Sequence, residues 1–529
     1  MRNRALVLAM FLAGCGAAGT TVREPPPPPP RPEPARLVVA VVIDQLGWAT
    51  LERYLPELDE DGALRRLARE GVHRRVVYQH AGTYTAAGHA SIHTGVSPRV
   101  HGVMANEVHD PERGAIASCD DGAHAIFGMD DAFASPSLLR APTVADALRA
   151  AHPDARIVAV SLKDRGSVIP GGQRPDAVVF WDKGHATFTT SDYYTDAPWP
   201  WLTAFLEAHP TPLTAWTPGD PARLEALLGP DARAGEGGLG FCATFPHDPR
   251  ATDAPGGAFR GTPQSTEHLL DLARAAVEHY EMGRDDVPDL LSISISGTDY
   301  VGHAFGYGSW EYLDDLVRVD RALGAFLREL EAGVGPVAVL VTSDHGHADI
   351  AEATEGGGRI VPEPFAAELD AVLDHAYGDG EWVVAFEEPF VYLSAAGRAH
   401  DGAIEQHLLP YLRAREGVAR AYDARRIPGD LADAADPIDG LVYESVATDP
   451  PGDVFVVPAE GWFVDDDEPF DAGASHGTPY AYDREVAVLF AGPGVAPARD
   501  DAPLDQRRVA RTIAALLGIE GPPNAPDPL

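Results

Sequence analysis

The 529-residue chain has few cysteines and few basic residues, and its N-terminal apolar stretch is short. Three cysteines allow at most one disulfide, and the sequence leaves open whether Cys119 and Cys242 form it. The 41 Lys and Arg residues face 80 Asp and Glu residues, and the resulting net charge of -39 argues against nucleic-acid binding through a broad basic face. The apolar stretch Ala5–Ala13 is too short to span a bilayer. The hydrophobic residues, 45% of the chain, are enough for a large core.

The N-terminus has the pattern of an export signal. Arg2 and Arg4 provide a charged start, an apolar stretch follows, and the letters LAGC end at Cys15. This resembles a bacterial lipoprotein signal with Cys15 as the lipidated first residue of the mature protein; an ordinary secretory peptide with an incidental Cys15 is the alternative. Residues 16–36 include six consecutive prolines and predict a stiff tether. We therefore expect an exported protein, lipid-anchored at the bacterial outer membrane and facing the periplasm or the cell exterior.

Three apolar runs predict buried parallel strands, and each one precedes residues that bind metals. Open α/β sheets bind ligands beyond the carboxyl ends of their strands, so we expect these residues to meet in one crevice. An Asp after a strand is more often a helix cap, and a buried His is more often a core residue, but several together favour a site. The three apolar runs, each with the candidate ligands that follow it, are Leu37–Ile43 with Asp44, Leu290–Ser296 with Asp299, and Val337–Thr342 with Asp344 and His345.

Two further features complete a set of candidate ligands. Asp299 and His303 lie four residues apart in what we interpret as a glycine-containing turn. Thr85 begins the segment Thr85–Thr94, which predicts a short helix stopped by Gly95. An oxygen at a helix N-terminus lies at the positive end of the helix dipole, so Thr85 is a candidate nucleophile; taken alone, a threonine at this position is more often just an N-cap. The seven candidate ligands suit a two-zinc phosphoryl-transfer site: Asp44, Thr85, Asp299, His303, Asp344, His345 and His476.

Several motifs resemble those of the alkaline phosphatase superfamily, most closely the bacterial phosphate-irrepressible (PafA-type) alkaline phosphatases. The resemblance covers roughly residues 37–523. The motifs are VVIDQL at Val41–Leu46, YTAAGHASIHTG at Tyr84–Gly95, HGVMAN at His101–Asn106, SLKDRGSVIPGG at Ser161–Gly172, GTDYVGH at Gly297–His303, TSDHG at Thr342–Gly346 and GASHGTP at Gly473–Pro479.

The resemblance implies two Zn2+ ions and a covalent phosphothreonine at Thr85. One ion would be held by Asp299, His303 and His476. The other would be held by Asp44, Asp344 and His345, with Thr85 bridging to it. Asn106, Lys163 and Arg165 match the residues that contact phosphoryl oxygens in these phosphatases; a solvated basic turn is the alternative for the two cations.

The reaction class is therefore expected to be phosphomonoester hydrolysis on small phosphorylated substrates. Two cations and an amide directed at the phosphoryl oxygens favour a monoester dianion over a diester. A phosphodiesterase or nucleotide pyrophosphatase of the same superfamily is the nearest alternative, and a non-catalytic phosphate-binding surface lipoprotein is another. A sulfatase would need a Cys or Ser nucleophile motif, which the AAGH sequence after Thr85 does not provide.

The expected architecture is α/β, an alkaline-phosphatase-like sandwich with a central mostly parallel sheet flanked by helices, plus inserted cap subdomains. The catalytic domain would cover residues 37–529, with insertions at about 176–263 and 355–472. Residues 312–331 carry leucines at helical spacing and predict a crossover helix between two ligand-bearing strands.

Overall fold

The structure is a computed structural model that describes residues 35–465 and 472–529. The lipidation candidate Cys15 and most of the proline-rich tether lie outside these residues. Within the described part of the chain, no helix combines the length and the apolar character needed to cross a membrane.

The strands of the described residues are numbered in chain order. They are β1 (Leu37–Ile43), β2 (Val72–Val77), β3 (Glu107–Asp110), β4 (Gly114–Ala117), β5 (Ile157–Ser161), β6 (Ala177–Asp182), β7 (Thr187–Thr189), β8 (Asp289–Ile295), β9 (Val337–Thr342), β10 (Gly358–Ile360), β11 (Val383–Glu387), β12 (Phe390–Leu393), β13 (Val418–Asp423), β14 (Val454–Pro458), β15 (Trp462–Val464), β16 (Glu485–Ala491) and β17 (Ala498–Asp505).

The α-helices of the same residues are numbered likewise. They are α1 (Trp48–Tyr54), α2 (Ala63–Glu70), α3 (Thr85–Thr94), α4 (Pro98–His101), α5 (Val144–Ala151), α6 (Arg165–Gly171), α7 (Pro200–Ala208), α8 (Pro221–Leu228), α9 (Pro255–Phe259), α10 (Pro263–His279), α11 (Gly297–Phe305), α12 (Trp310–Gly333), α13 (Pro362–Tyr377), α14 (Ala395–Ala399), α15 (Leu409–Ala414), α16 (Ile427–Asp430), α17 (Pro437–Ser445), α18 (Ala481–Arg484) and α19 (Arg508–Leu516).

A nine-stranded sheet forms the centre, in the order β17-β2-β16-β9-β1-β8-β5-β6-β7. The five strands from β9 to β6 are mutually parallel, while β16 and β7 pair antiparallel with their neighbours in this central group. The prediction of a mostly parallel sheet flanked by helices is therefore confirmed. The predicted strand Leu37–Ile43 agrees with β1 at both ends.

Strand β1 shows why the sheet has helices on both faces. All seven of its residues are buried. Val39 and Val41 pack into one core with residues of α2, α10 and α12, whereas Val38 and Val42 pack into a second core with residues of α5 and α19. Since successive strand residues point to opposite faces, a continuous apolar run requires cover on both sides. Burying one such valine contributes about 1.5–3 kcal/mol.

The predicted crossover helix is present as α12, which is two residues longer at each end than the leucine pattern indicated. The interpretation of residues 299–303 as a turn is wrong, because Asp299 and His303 lie in helix α11. Gly302 does not bend the chain: a Cβ there would lie 1.8 Å from the side-chain oxygen of Gln45, so glycine permits close packing. The helix places Asp299 and His303 on one face.

A second, smaller sheet lies within residues 383–458. Its order is β11-β12-β14-β13, and the pairs are antiparallel. It has its own apolar core against α13 and α15. The strands of this sheet supply none of the predicted ligands.

Candidate metal and phosphoryl-transfer site

The carboxyl ends of three adjacent parallel strands bring the predicted ligands together. Strands β9, β1 and β8 are neighbours in the sheet. Asp44 follows β1, Asp344 and His345 follow β9 after one residue, and Asp299 lies in the first turn of the helix that follows β8. The order of the strands therefore collects ligands that are about 300 positions apart in the sequence.

One group of ligand atoms consists of Asp44, Asp344 and His345, and all three residues are buried. His345 Nε2 lies 3.4 Å from Asp44 Oδ1 and 3.6 Å from Asp344 Oδ2. These three residues are the set that the family resemblance implies for one metal ion.

A second group consists of Asp299, His345 and His476, also buried. The family resemblance implies His303 in place of His345 for this ion, and His303 Nε2 lies 3.3 Å from Asp299 Oδ1. His476 Nε2 is 3.8 Å from the same oxygen. The rings of His345 and His476 stack with centroids 3.6 Å apart, so His345 lies between the two groups.

The backbone sets the ring orientation of two of these histidines. His476 Nδ1 donates to the carbonyl oxygen of Thr83 at 2.7 Å, and His345 Nδ1 donates to the carbonyl oxygen of Gly346 at 2.9 Å. The carbonyls thereby leave Nε2 of each ring unprotonated and directed at the carboxylates, as a metal ligand requires. Burial, opposed by neighbouring carboxylates, lowers the pKa of His345, and burial together with His345 and His303 holds the pKa of His476 well below its usual value.

The charge balance of the cluster fits a bound cation. Asp44, Asp299 and Asp344 are all buried. Burial, with Asp299 and Asp344 nearby, raises the pKa of Asp44 well above its ordinary value. Asp44 Oδ1 accepts no hydrogen bond from the described residues, whereas Asp44 Oδ2 lies 2.8 Å from the ammonium of Lys163. Buried carboxylates are normally paired or coordinate metals, and a mixed Asp and His set suits zinc or another transition metal. The residues present therefore fit metal ions.

Thr85 is the first residue of α3, and Tyr84 occupies the N-cap position, so Thr85 is not the N-cap. Its Oγ1 accepts a hydrogen bond from Lys163 Nζ at 3.2 Å and lies 3.4 Å from His345 Nε2. Helix α3 lies tightly against the loop after β9, because a Cβ on Gly88 would lie 2.3 Å from the carbonyl oxygen of Asp344. The hydroxyl is thus held at a helix N-terminus beside the ligand cluster.

Asn106, Lys163 and Arg165 line one cavity with Thr85, of about 260 Å³. Lys163 Nζ contacts Asp299 Oδ2 at 2.6 Å and Asp44 Oδ2 at 2.8 Å. Burial opposes the charge of Lys163, but Asp299 and Asp44 outweigh it and raise the pKa of the ammonium above its usual value. The side-chain oxygen of Asn106 accepts a hydrogen bond from the backbone N–H of Ala86, which leaves its NH2 group for another acceptor.

Comparisons with known proteins agree with this geometry. Residues 38–478 match the family model of type I phosphodiesterase / nucleotide pyrophosphatase. The chain is 30% identical to alkaline phosphatase PafA of Elizabethkingia meningoseptica, over 93% of each chain. It is 29% identical to alkaline phosphatase PhoK of Sphingomonas, over 92% of this chain and 89% of that protein. The crystal structure of wild-type PafA superimposes with a TM-score of 0.85 at 28% identity, covering 94% of this chain and 98% of that one.

The chain belongs to the type I phosphodiesterase / nucleotide pyrophosphatase family. With alkaline phosphatases among its relatives, it is a phosphoester hydrolase. The alternative of a non-catalytic binding protein therefore has no support from the relatives.

In this phosphoester hydrolase, the sequence reasoning missed the residues that position the ligands. The side-chain nitrogen of Gln45 donates to Asp299 Oδ1 at 3.0 Å. Ser343 Oγ accepts from the backbone of Leu46 and donates to the carbonyl oxygen of His345, so it ties the β1 and β9 loops together. His89 Nδ1 lies 3.2 Å from Asp344 Oδ2. Adjacency to Asp44 was the only sequence signal for Gln45.

The two cysteines of the described residues are free. Cys119 is buried and Cys242 is exposed. The structure therefore contains no disulfide between them.

Proposed function

We propose that this phosphoester hydrolase is a zinc-dependent phosphomonoesterase that forms a covalent phosphothreonine at Thr85. The observation that carries the proposal is the convergence of Asn106, Lys163 and Arg165 on the cavity that contains Thr85. A phosphomonoester dianion has an extra non-bridging charge, which a diester replaces with an alkyl group. Charge-assisted hydrogen bonds to that charge favour the monoester.

The residues would act in two steps. The Thr85 hydroxyl gives up its proton to solvent, its oxygen forms a bond to phosphorus, and the ester P–O bond on the opposite side breaks, so that the alkoxide leaves and takes up a proton to become the alcohol. Lys163 donates to the Thr85 oxygen, so it favours the anionic form of this oxygen during attack. Water then attacks the phosphothreonine, which releases inorganic phosphate and restores Thr85. Arg165 and Asn106 orient the non-bridging oxygens in both steps.

The metal ions are proposed to be two Zn2+. Asp44, Asp344 and His345 would hold one, and Asp299, His303 and His476 the other, with His345 close to both groups. When bound, such ions supply Lewis-acid stabilisation of the attacking and leaving oxygens. Zinc is preferred because three imidazoles are combined with three carboxylates.

The test is the ratio of kcat/KM for p-nitrophenyl phosphate to that for methyl p-nitrophenyl phosphate, measured on the zinc-loaded protein. Only the monoester can make both charge-assisted contacts in full. We therefore expect a monoester preference of about 100-fold or more. A preference for the diester would instead support the second candidate, a phosphodiesterase or nucleotide pyrophosphatase, which the description of the matching family favours. Activity on neither ester contradicts both candidates.

We also propose the export and lipid anchor expected from residues 1–36, which lie almost entirely outside the described part of the chain. In a bacterial host, labelled palmitate should enter the wild-type protein and not Cys15→Ser, and activity should move from the membrane to the soluble fraction in that variant. Cys119→Ser is the control. Equal labelling of Cys15→Ser and wild type contradicts the anchor.

A further inference from the structure

A second and larger cavity adjoins the one that contains Thr85. Its volume is about 670 Å³, within the range of about 300–1,000 Å³ typical of small-molecule sites. The two cavities share the lining residues Lys183, Arg260, Tyr300, His303 and Ser475. We call the larger one the adjoining cleft.

The adjoining cleft lies where the alcohol portion of an ester would go. Thr85 lines only the smaller cavity, while His303 and Ser475 line both. In-line displacement places the leaving oxygen on the side of phosphorus away from the attacking Thr85 oxygen. The space that continues the site beyond Thr85 is the adjoining cleft.

Small residues make this space. Its lining includes Gly237, Gly238, Gly257, Ala254, Ala258 and Ala304. A Cβ on Gly238 would lie 2.9 Å from the Cβ of Ala304, so glycine permits these two segments to approach closely. Leu239 is the main large apolar side chain in the lining. The part of the wall made of glycine, alanine and leucine therefore leaves room for an organic group.

Lys183 is one of two cations that line both cavities, and Arg260 is the other. Lys163 and Lys183 are the only lysines of the chain, and both line the Thr85 cavity. Lys183 is exposed, and within residues 35–465 and 472–529 it has no carboxylate partner. In a protein with a net charge of -39, a lysine with no acid beside it among the described residues is open to an anionic ligand.

Arg260 is held in place by contacts that leave it able to bind an anion. Its Nη1 donates to the Tyr300 hydroxyl at 2.6 Å, its Nε donates to the carbonyl oxygen of Gly257 at 3.2 Å, and its guanidinium lies 4.2 Å from the centre of the Tyr300 ring. None of these partners is a carboxylate. The acid in the cleft lining, Asp465, is 3.1 Å from Arg359 Nε and so is already neutralised.

We propose that the adjoining cleft binds the alcohol portion of the substrate and that Lys183 and Arg260 bind a carboxylate or similar anionic group on that alcohol. The inference rests on the proposed phosphomonoesterase and deepens it. The substrate class is then a phosphate ester of an organic hydroxy acid large enough to reach from the phosphoryl site into the cleft.

The test compares phenyl phosphate with 3- and 4-carboxyphenyl phosphate. The wild-type protein should prefer at least one carboxyphenyl ester. Lys183→Met and Arg260→Met should each lower the ratio of kcat/KM for that ester to kcat/KM for phenyl phosphate about threefold to fivefold, as expected for a partly exposed ion pair. Arg260→Lys should restore part of the ratio. Ratios that stay at the wild-type value in both Met variants overturn the proposal.

Two further variants test whether the effects come from the charges and the volume of the cleft rather than from a general loss of activity. Arg250→Met removes one positive charge from an exposed residue paired with Asp248 outside the cleft, and it should leave the ratio unchanged. Ala254→Trp introduces a bulky ring at an exposed wall position and should raise KM for aryl phosphates more than for ethyl phosphate. An equal effect on aryl and ethyl phosphates also contradicts the cleft assignment.

A binding measurement distinguishes failure of the cleft from failure of the proposed function. Calorimetry with 4-carboxybenzylphosphonate and benzylphosphonate on the zinc-loaded protein does not depend on turnover. If no monoester is hydrolysed but Lys183→Met still weakens only the carboxylated phosphonate, the proposed function is wrong and the cleft is right. If monoesters are hydrolysed but both phosphonates bind alike in wild type and Lys183→Met, the cleft proposal is wrong.

Discussion

Lys163 and Lys183 line the same cavity, but their surroundings differ. The Lys163 side chain is 3% exposed, and its ammonium contacts Asp44 and Asp299 within 2.8 Å. Lys183 is exposed and has no carboxylate partner among the described residues. A buried ammonium is tolerated only with counter-charges, whereas an exposed one is stable in water. The protein itself thus fixes the first cation, and the second is available to a ligand.

The comparison also separates two parts of the reaction. Lys163 lies 3.2 Å from Thr85 Oγ1, at the ends of the parallel strands, where phosphorus is attacked. Lys183 follows strand β6, which is next to the edge strand β7, and it lines the adjoining cleft. Variants at the Lys163 end should therefore change the chemistry, and variants at the Lys183 end should change the choice of alcohol.

The largest effect is expected from Thr85→Ala. It removes the nucleophile beside Lys163 without removing a carboxylate or imidazole, so kcat should fall about 10⁴-fold or more while zinc content stays at the wild-type value. Steady-state kinetics and metal analysis on the same sample check this. Thr94→Ala, in the last turn of the same helix, is the control. Retention of more than a tenth of the activity in Thr85→Ala would rule out the phosphothreonine.

Metal removal should increase the loss of unfolding free energy caused by a substitution at Lys163, but not the loss caused by the same substitution at Lys183. In chelated protein, Lys163→Met leaves Asp44 and Asp299 without the ammonium that contacts both, which should cost about 3–5 kcal/mol of unfolding free energy. With zinc bound, the loss should be smaller because the carboxylates then hold metal. Lys183→Met is the matched control and should have little effect in either state. Denaturant titration measures both; equal destabilisation by Lys163→Met with and without zinc contradicts metal binding by these carboxylates.

Substrate charge should sharpen the comparison further. Lys163→Ala combined with Arg165→Ala should reduce kcat/KM for p-nitrophenyl phosphate about 100-fold more than for methyl p-nitrophenyl phosphate, since the diester lacks the extra charge that these cations contact. Lys183→Met should not alter that ratio, because the two esters share one leaving group. Equal losses on both esters in the double variant would exclude its role in recognising the dianion.

The smallest effect concerns a buried carboxyl group that, unlike the ammonium of Lys163, lacks a hydrogen-bonding partner among the described residues. Neither carboxylate oxygen of Asp315 in α12 has a partner among the described residues, and burial, reinforced by Asp314, raises its pKa to about 8. Because the unfolded carboxyl titrates near about 4, the folded state binds more protons between these pH values, and stability falls as pH rises through this window. Asp315→Asn should remove that loss, so its stability relative to wild type should rise by on the order of 1 kcal/mol between pH 5 and pH 9.

Chemical denaturation at several pH values checks the Asp315 prediction. Asp286→Asn removes a carboxylate whose side chain is 93% exposed, and it is the control. A pH-independent difference between Asp315→Asn and wild type would show that Asp315 is ionised in the folded protein throughout.

Local patterns were sufficient to predict several elements. Helix α3 and strand β1 begin and end at the predicted residues, because small residues followed by Gly95, and an unbroken apolar run, are signals contained in the elements themselves. The turn assigned to residues 299–303 was wrong. The glycine there serves packing against Gln45, which lies more than 250 positions away in sequence.

By itself, the sequence determined the buried parallel strands, the acids and histidines that follow them, and the helix that begins at Thr85. Only the tertiary structure decided that β9, β1 and β8 are neighbours, that His345 lies between both groups of ligands, and that Lys183 and Arg260 meet at a cleft walled by glycine and alanine. The physical reason is distance along the chain. Helix and strand signals act over a few residues, whereas charge pairing and cavity shape depend on which remote segments the fold places in contact.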